Sequence, residues 1–379
     1  MRIAKLWSQP SSFEKALSEY IAGDGLTMAL DLNCGARSEF IGAFHHIILK
    51  PRGLDHRIQF TGPTGANSVE AAIKLARKVT KRTNVISFTN GFHGCSLGAL
   101  SLTGSSHHRA SSASLLNQVT RLPYDDYFGS DIDTATQIEQ LLGDPSSGVD
   151  APAAFVVEMV QGEGGLQVAS AAWIQKLAKI AKYHGALLIV DDIQAGCGRT
   201  GTFFSFEEMG IVPDMICMAK AVSGYGLPMS LLLMRPELDQ WQPGEHNGTF
   251  RGHVCAFVTA TAALEEFWAK PAFAKRLTVL CDTIDAQLRK WAYQYDVKIK
   301  GRGAMIGLEF ADPDHAAHIQ VACIDQGLII ECCGPRDEVL KFLPPLTVSD
   351  DELSIAFEAV SQALSQYETS RQSVTNETL

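Results

Sequence analysis

"MICMAKAVSGYGLPMSLLLMR" (residues 215–235) decides how this chain folds. Two apolar runs stand on either side of AVSGYGLP alone. Neighbouring parallel strands need a crossover of about a dozen residues or more, so this connection fits only antiparallel neighbours. Elsewhere the pattern differs. "RIQFTG" (57–62), "NVISFTN" (84–90), "AAFVVEMV" (153–160) and "ALLIVDDI" (186–193) are short apolar or β-branched runs that alternate with longer helical stretches. In "SVEAAIKLARKVTKR", Val69, Ala72, Ile73 and Ala76 recur at the spacing of one helix face, with the helix opening at Asn67 or Ser68. "AAWIQKLAKIAKYHG" (171–185) ends at a glycine, a common helix stop. Nearly continuous apolar strands imply a sheet covered on both faces. The expected fold class is α/β, with a large mixed, mostly parallel sheet.

From about Ala262 the texture changes. A long helical stretch is broken at Pro271, strand candidates follow at "KIKGRGAMIGLEF" (298–310) and "GLIIECC" (327–333), and "SDDELSIAFEAVSQALSQYETS" reads as a capped last helix. The expected division is an N-terminal segment (1–56), a large domain (57–261) and a smaller α+β C-terminal domain (262–379).

The formal net charge of -10 argues against a nucleic-acid partner. No apolar run reaches the roughly 18 residues of a membrane span. The opening "MRIAKLWSQPSSFEKALSEY" has no apolar signal core, so a cytoplasmic location is expected. Nine cysteines lie scattered with no C-x-x-C pair, which suggests neither a metal site nor a redox pair.

Lys220 is the only charged residue from Met215 to Met234. In apolar surroundings burial disfavours its ammonium form, and a neutral amine can form a Schiff base with an aldehyde. The plain alternative is a surface lysine beside a turn. "FTGPTGANSVEAA" sets small residues between a strand and a helix start, where the N–H groups of Gly65, Ala66 and Asn67 favour an anion such as phosphate; an ordinary capped turn would read the same. "ALLIVDDIQAGCGRTG" ends a buried strand in two aspartates. A buried carboxylate needs a partner, either a protonated pyridine nitrogen or the next loop. Its glycines Gly196, Gly198 and Gly201 match G-x-G-x-x-G, but the acids precede them and "TFFSFEEMG" makes a poor crossover helix, so a dinucleotide site is not supported. "NGFHGCS" adds Phe92, able to stack on a planar ring, and His93, each equally readable as a core or loop residue. Taken together, an imine-forming lysine, an acid for a ring nitrogen, an aromatic face and a phosphate cradle describe one ligand, pyridoxal 5'-phosphate.

The order of these segments resembles the class III aminotransferases of the type I pyridoxal-phosphate fold. "DDIQAGCGRTG" is similar to that family's D-E-x-Q-x-G-x-G-R-T-G, "EMVQGEGG" to its E-P-x-Q-G-E-x-G, and "MAKAVSGYGLPMS" to its lysine segment. The likeness runs from about residue 57 to 350. Within the family, "LKPRGLDHRIQFTGPTGANSVEAAIKLARK" and "GYGLPMSLLLMRPELDQWQPGEHNGTFRGH" most resemble the 2,4-diaminobutyrate:2-oxoglutarate group that opens ectoine biosynthesis. The resemblance implies roles residue by residue. Lys220 holds the cofactor aldehyde and shuttles the proton. Asp191 keeps the pyridine nitrogen protonated. Gln194 meets the ring hydroxyl, and Ile193 packs opposite Phe92. Gly65, Ala66 and Asn67 line the phosphate, and Thr249 reaches the phosphate of a neighbouring subunit, making a homodimer or higher homo-oligomer the expected unit. The implied reaction carries an amino group from glutamate to aspartate 4-semialdehyde. Other ω-amino or diamino acid acceptors, and a weakly active partner protein of the same fold, are the competing readings.

Two departures stand out. Asp192 replaces the family's glutamate. Lys341 stands where ornithine-type enzymes carry an arginine that pairs with the counterpart of Glu163 and grips the substrate carboxylate, and lysine lacks the two-pronged fork for that contact. The chain also opens near "SSFEKALSEYIAGDG", where family members carry a further segment bearing a glycine-rich loop over the substrate. If the shortened form is genuine, cofactor binding is expected to persist and substrate closure to suffer. Stopped-flow half-reactions with glutamate test this, and rates equal to those of a full-length relative would reject it.

Overall fold

The structure, a computed structural model, describes residues 11–377, with side chains through residue 366. Seven strands form the larger sheet: β1 (Arg57–Gly62), β2 (Val85–Phe88), β3 (Val119–Leu122), β4 (Ala154–Val157), β5 (Leu187–Asp191), β6 (Met215–Met218) and β7 (Ser230–Met234). Their spatial order is β1-β7-β6-β5-β4-β2-β3. β7 runs antiparallel to both of its neighbours, with Met215 opposite Met234 and Met218 opposite Leu231, while β6, β5, β4, β2 and β3 pair in parallel. The short connector thus produces the reversal that its length dictates. Two antiparallel pairings in succession leave β1 pointing the same way as the parallel set.

Apolar residues alternate between two cores on the two sheet faces. Leu188, Val190, Ile216, Met218, Leu231 and Leu233 enter one core; Ile189, Met215, Cys217, Leu232 and Met234 enter the other. Both faces are therefore covered, as the continuous apolar strands require. The helix Ala171–Tyr183 stops at His184 and Gly185, the latter at φ 64, and its N-cap Ser170 accepts from the Trp173 N–H.

The second sheet has the order β10-β11-β9-β8, built from β8 (Lys298–Arg302), β9 (Met305–Glu309), β10 (Glu331–Cys333) and β11 (Val339–Phe342), all antiparallel. Ile306, Leu308, Leu340 and Phe342 bury against Leu280, Ile284, Leu288 and Trp291 of the helix Pro271–Tyr295 and against Val360 and Leu364 of the last helix. That last helix, Asp350–Glu377, is opened by Ser349, whose N–H and hydroxyl both donate to Glu352.

Two expectations need correction. The helix after β1 starts at Gly65, not at Asn67 or Ser68, because Thr64 is the N-cap and the Asn67 side-chain oxygen accepts from the Thr64 N–H and hydroxyl. Only the last three residues of "GLIIECC" pair as a strand. The strands β3 and β11 carried no strong sequence signal of their own. Among the described residues, no helix is long and apolar enough to cross a membrane.

Phe257, in the helix Val254–Ala263, is fully buried, stacks on Phe40 at 5.7 Å and lies tilted against Phe60 at 4.7 Å. Phe257→Ala is expected to cost about 3–5 kcal/mol through lost burial and an aromatic-lined void. A urea midpoint equal to that of the parent would contradict this.

Candidate active site

The candidate residues converge because parallel strands deliver their following loops to one edge of the sheet. Thr64 and Gly65 follow β1, Phe92 and His93 follow β2, Glu158 and Glu163 follow β4, Asp191 closes β5, and Lys220 follows β6. Asp191 is opposite Cys217 in the register of β5 and β6, so Lys220 lies three residues beyond that pairing. These loops enclose a cavity of about 400 Å³ lined by Gly65, Ala66, Phe92, His93, Glu158, Glu163, Asp191, Ile193, Gln194 and Lys220 among others. Two expected residues are elsewhere. Asn67 sits in the first helical turn with its side chain on Thr64 rather than on the cavity wall. Thr249, expected at the phosphate of a neighbouring subunit, is itself exposed at the start of the short segment Thr249–Gly252 and does not line this chain's cavity.

Asp191 is 4% exposed and is held on both oxygens. The His93 ring nitrogen Nδ1 lies 2.7 Å from Oδ2, and the Ile193 N–H donates to Oδ1 at 3.2 Å. Burial pushes the His93 pKa down, but the hydrogen bond and charge of Asp191, with the charge of Glu158, outweigh it and raise it. Glu158, buried at the cavity wall, accepts from the N–H groups of Phe92 and Gly162 at 3.0 and 3.2 Å; burial, against the charge of His93, drives its carboxyl up to about 7. Glu158 had no role in the sequence expectations, although it ends an apolar strand just as Asp191 does.

Lys220 adopts a left-handed backbone at φ 51, strained for a residue other than glycine. Its side chain keeps accessible surface because it borders two cavities: the one above and a second, of about 550 Å³, walled by Phe13, Phe44, Phe203, Trp268 and Phe273. Desolvation between those walls lowers the pKa of the amine, with Glu163 opposing and Lys341 reinforcing the shift. Glu163 is held by the Gln194 amide at 2.8 Å and by the Lys341 ammonium at 3.2 Å. Burial favours its protonated form, yet Lys341 and Gln194 bring its pKa below the usual value. Lys341 itself is 2% exposed, an ion-paired lysine rather than a solvated one.

The cavity fits pyridoxal phosphate. The first N–H groups of the helix Gly65–Thr80 open onto it with no partner inside the helix, as an anion requires. A Cβ at Gly65 would stand 2.9 Å from Ile193 Cδ1 and would narrow the slot beside that side chain. A carboxylate and a depressed-pKa amine on the same wall match a ring nitrogen and an aldehyde.

The family model for class III aminotransferases matches residues 29–364. The diaminobutyrate–2-oxoglutarate transaminase of Vibrio parahaemolyticus is 53% identical over 90% of this chain and 81% of that protein. The enzyme of the same name from Halalkalibacterium halodurans is 48% identical over 93% and 83%. Among solved structures, an ornithine aminotransferase from Toxoplasma gondii superposes with a TM-score of 0.81 at 25% identity, covering 96% of this chain and 84% of that one. The pyridoxal-phosphate-bound amine transaminase of an uncultivated Pseudomonas species gives a TM-score of 0.82 at 22% identity over 96% and 90%, a likeness of fold.

Asp192 turns away from the cavity. It is 1% exposed and accepts from the Ser205 N–H at 3.2 Å and from the Ser205 hydroxyl. Burial and the Asp191 charge raise its carboxyl from the ordinary 3.8 to about 7, against Ser205 and Arg302. Between those two values the folded state holds a proton that the unfolded state has lost, so this group's contribution to stability falls as pH rises through the window. Asp192→Asn is neutral throughout and is expected to flatten that part of the fall. Urea midpoints of both proteins at pH 5, 6 and 7 check it; parallel slopes would refute it.

Proposed function

Because the chain belongs to the class III aminotransferases, we propose that it moves the amino group of L-glutamate to the terminal carbon of L-aspartate 4-semialdehyde, giving L-2,4-diaminobutyrate and 2-oxoglutarate. It is a pyridoxal-phosphate-dependent enzyme. The reading rests on one observation above others: Lys220 and Asp191 border a single cavity, in a chain about half identical to relatives bearing that name. When bound, pyridoxal phosphate supplies an aldehyde conjugated to a ring that withdraws electrons from the reacting carbon.

The chain's own residues do the rest. Lys220, its amine made less basic by desolvation, would hold the aldehyde, and its Nζ would take and return the proton at the reacting carbon. Asp191 keeps the pyridine nitrogen protonated, and His93 holds Asp191 in place from behind. Gly65 and Ala66 offer N–H groups to the phosphate, with Asn67 stabilising the turn that presents them. Phe92 and Ile193 would hold the ring from either side, and Gln194 would meet its hydroxyl. Lys341 receives the carboxylate of glutamate, and Glu163 masks that ammonium when the aldehyde acceptor, with no carboxylate on its reacting carbon, takes its turn. Thr249 of a second copy completes the phosphate site in a homodimer. The large (57–261) and small (262–379) domains then meet over the substrate. A cytoplasmic place at the opening of ectoine biosynthesis follows from the same reading.

Purified chain incubated with the cofactor is expected to show a visible absorbance band and to form diaminobutyrate from glutamate and aspartate 4-semialdehyde. Lys220→Ala should abolish the band and lower turnover by about a thousandfold or more, the scale of a lost acid–base group. Turnover with other acceptors but none with this aldehyde would overturn the substrate assignment, and a colourless parent protein would overturn the reaction.

A further inference from the structure

The ammonium of Lys341 has two carboxylates, and only one belongs to the machinery above. Its Nζ lies 3.2 Å from Glu163 Oε1 and 3.6 Å from Glu331 Oε2. Glu331 is no accidental neighbour. The register of the second sheet sets Glu331 of β10 directly opposite Lys341 of β11, while the flank on β9 is Gly307, which has no side chain. A cross-strand pair of opposite charge on one face is a fixed contact of the sheet. The backbone holds the other partner in place as well, because the Gly334 N–H just after β10 donates to the Glu163 carbonyl at 3.0 Å. Glu163 lines the cofactor cavity, whereas Lys341 and Glu331 line the larger apolar one, so the Glu163–Lys341 ion pair links the two.

The proposed reaction asks opposite things of this ammonium. Glutamate brings a carboxylate on its reacting carbon, and the aldehyde acceptor brings a hydrogen there. A buried cation gripping a carboxylate unopposed would hold the donor and its oxo-acid product too firmly. Resting on that reaction, we propose that Glu331 is a positioning residue for substrate discrimination: from the strand beside Lys341 it competes for the ammonium, and so weakens the grip on carboxylate-bearing substrates relative to the aldehyde acceptor. Its own side chain is 67% exposed, so solvent screens the competition and keeps it modest.

The test is Glu331→Gln in the cofactor-loaded enzyme, with an unchanged melting temperature as the check on folding. The KM for glutamate is expected to fall about two- to fivefold, the worth of an ion pair with one exposed member. The change should appear in KM rather than kcat, and the KM for aspartate 4-semialdehyde should stay put. Calorimetry with glutarate, a dicarboxylate with no amine, should show the same tightening, shrinking as salt is added. Glutamate and glutarate constants that stay unchanged or weaken, or an equal change for the aldehyde, would overturn the proposal. A parent enzyme that ignores the aldehyde would overturn the substrate reading alone, because the glutarate measurement still reports on Glu331.

Discussion

A carboxylate buried at the end of a central strand cannot stand without a partner, and Asp191 is that carboxylate. Its desolvation is answered by His93 on one oxygen and the Ile193 N–H on the other. His93 comes from the loop after β2, and the Phe92 N–H in the same loop is tied to Glu158 at the end of β4. Three strand ends are thereby locked together around one charge. The cavity is shaped by that lock, since the loops that satisfy Asp191 also carry the aromatic face and part of the wall.

The site's second half works by graded charge. Lys220 stands between two cavities and is desolvated by both, while Glu163 and Lys341 act on it with opposite sign. The Glu163–Lys341 contact joins the loop after β4 to the second sheet, and Arg199, just past the aspartates, donates to the Pro344 carbonyl beyond β11 and to that of Ala304. The cavity wall and the packing of the two sheets therefore share residues. Lys341 is buried because its sheet seats it there, with two carboxylates within ion-pair distance of its ammonium.

Much of this was legible in the sequence, for local reasons. The apolar runs of β5, β6 and β7 and the brevity of AVSGYGLP dictate order and direction without any knowledge of tertiary contacts. Lys220 stands out as an isolated charge and Asp191 as the first of two aspartates closing an apolar run, and the cavity does bring them together. What stayed hidden depends on partners far along the chain. β11 reads poorly as a strand because Lys341 looks like a solvent-facing residue until Glu163 and Glu331 are placed beside it. β3 is a half-buried edge strand whose Arg121 donates to the Thr103 carbonyl. Glu158 carried the same signal as Asp191, a carboxylate ending an apolar strand, but its partners are backbone N–H groups that no side-chain pattern announces. The helix start at Gly65 was displaced in the sequence view because Asn67 caps from inside the helix, reaching back to Thr64 rather than preceding it.

The antiparallel β7 carries one more implication, for synthesis on the ribosome. β1 is made early, yet among the described residues its sole neighbour in the sheet is β7, with Arg57 opposite Met234. Its hydrogen-bonding edge stays unmatched until most of the large sheet's sequence has emerged. Closing so long a loop is slow, and an open apolar edge invites association with other nascent chains. β7, the last strand of that sheet to be made, must therefore insert between β1 and β6 before the pairing of β1 is complete.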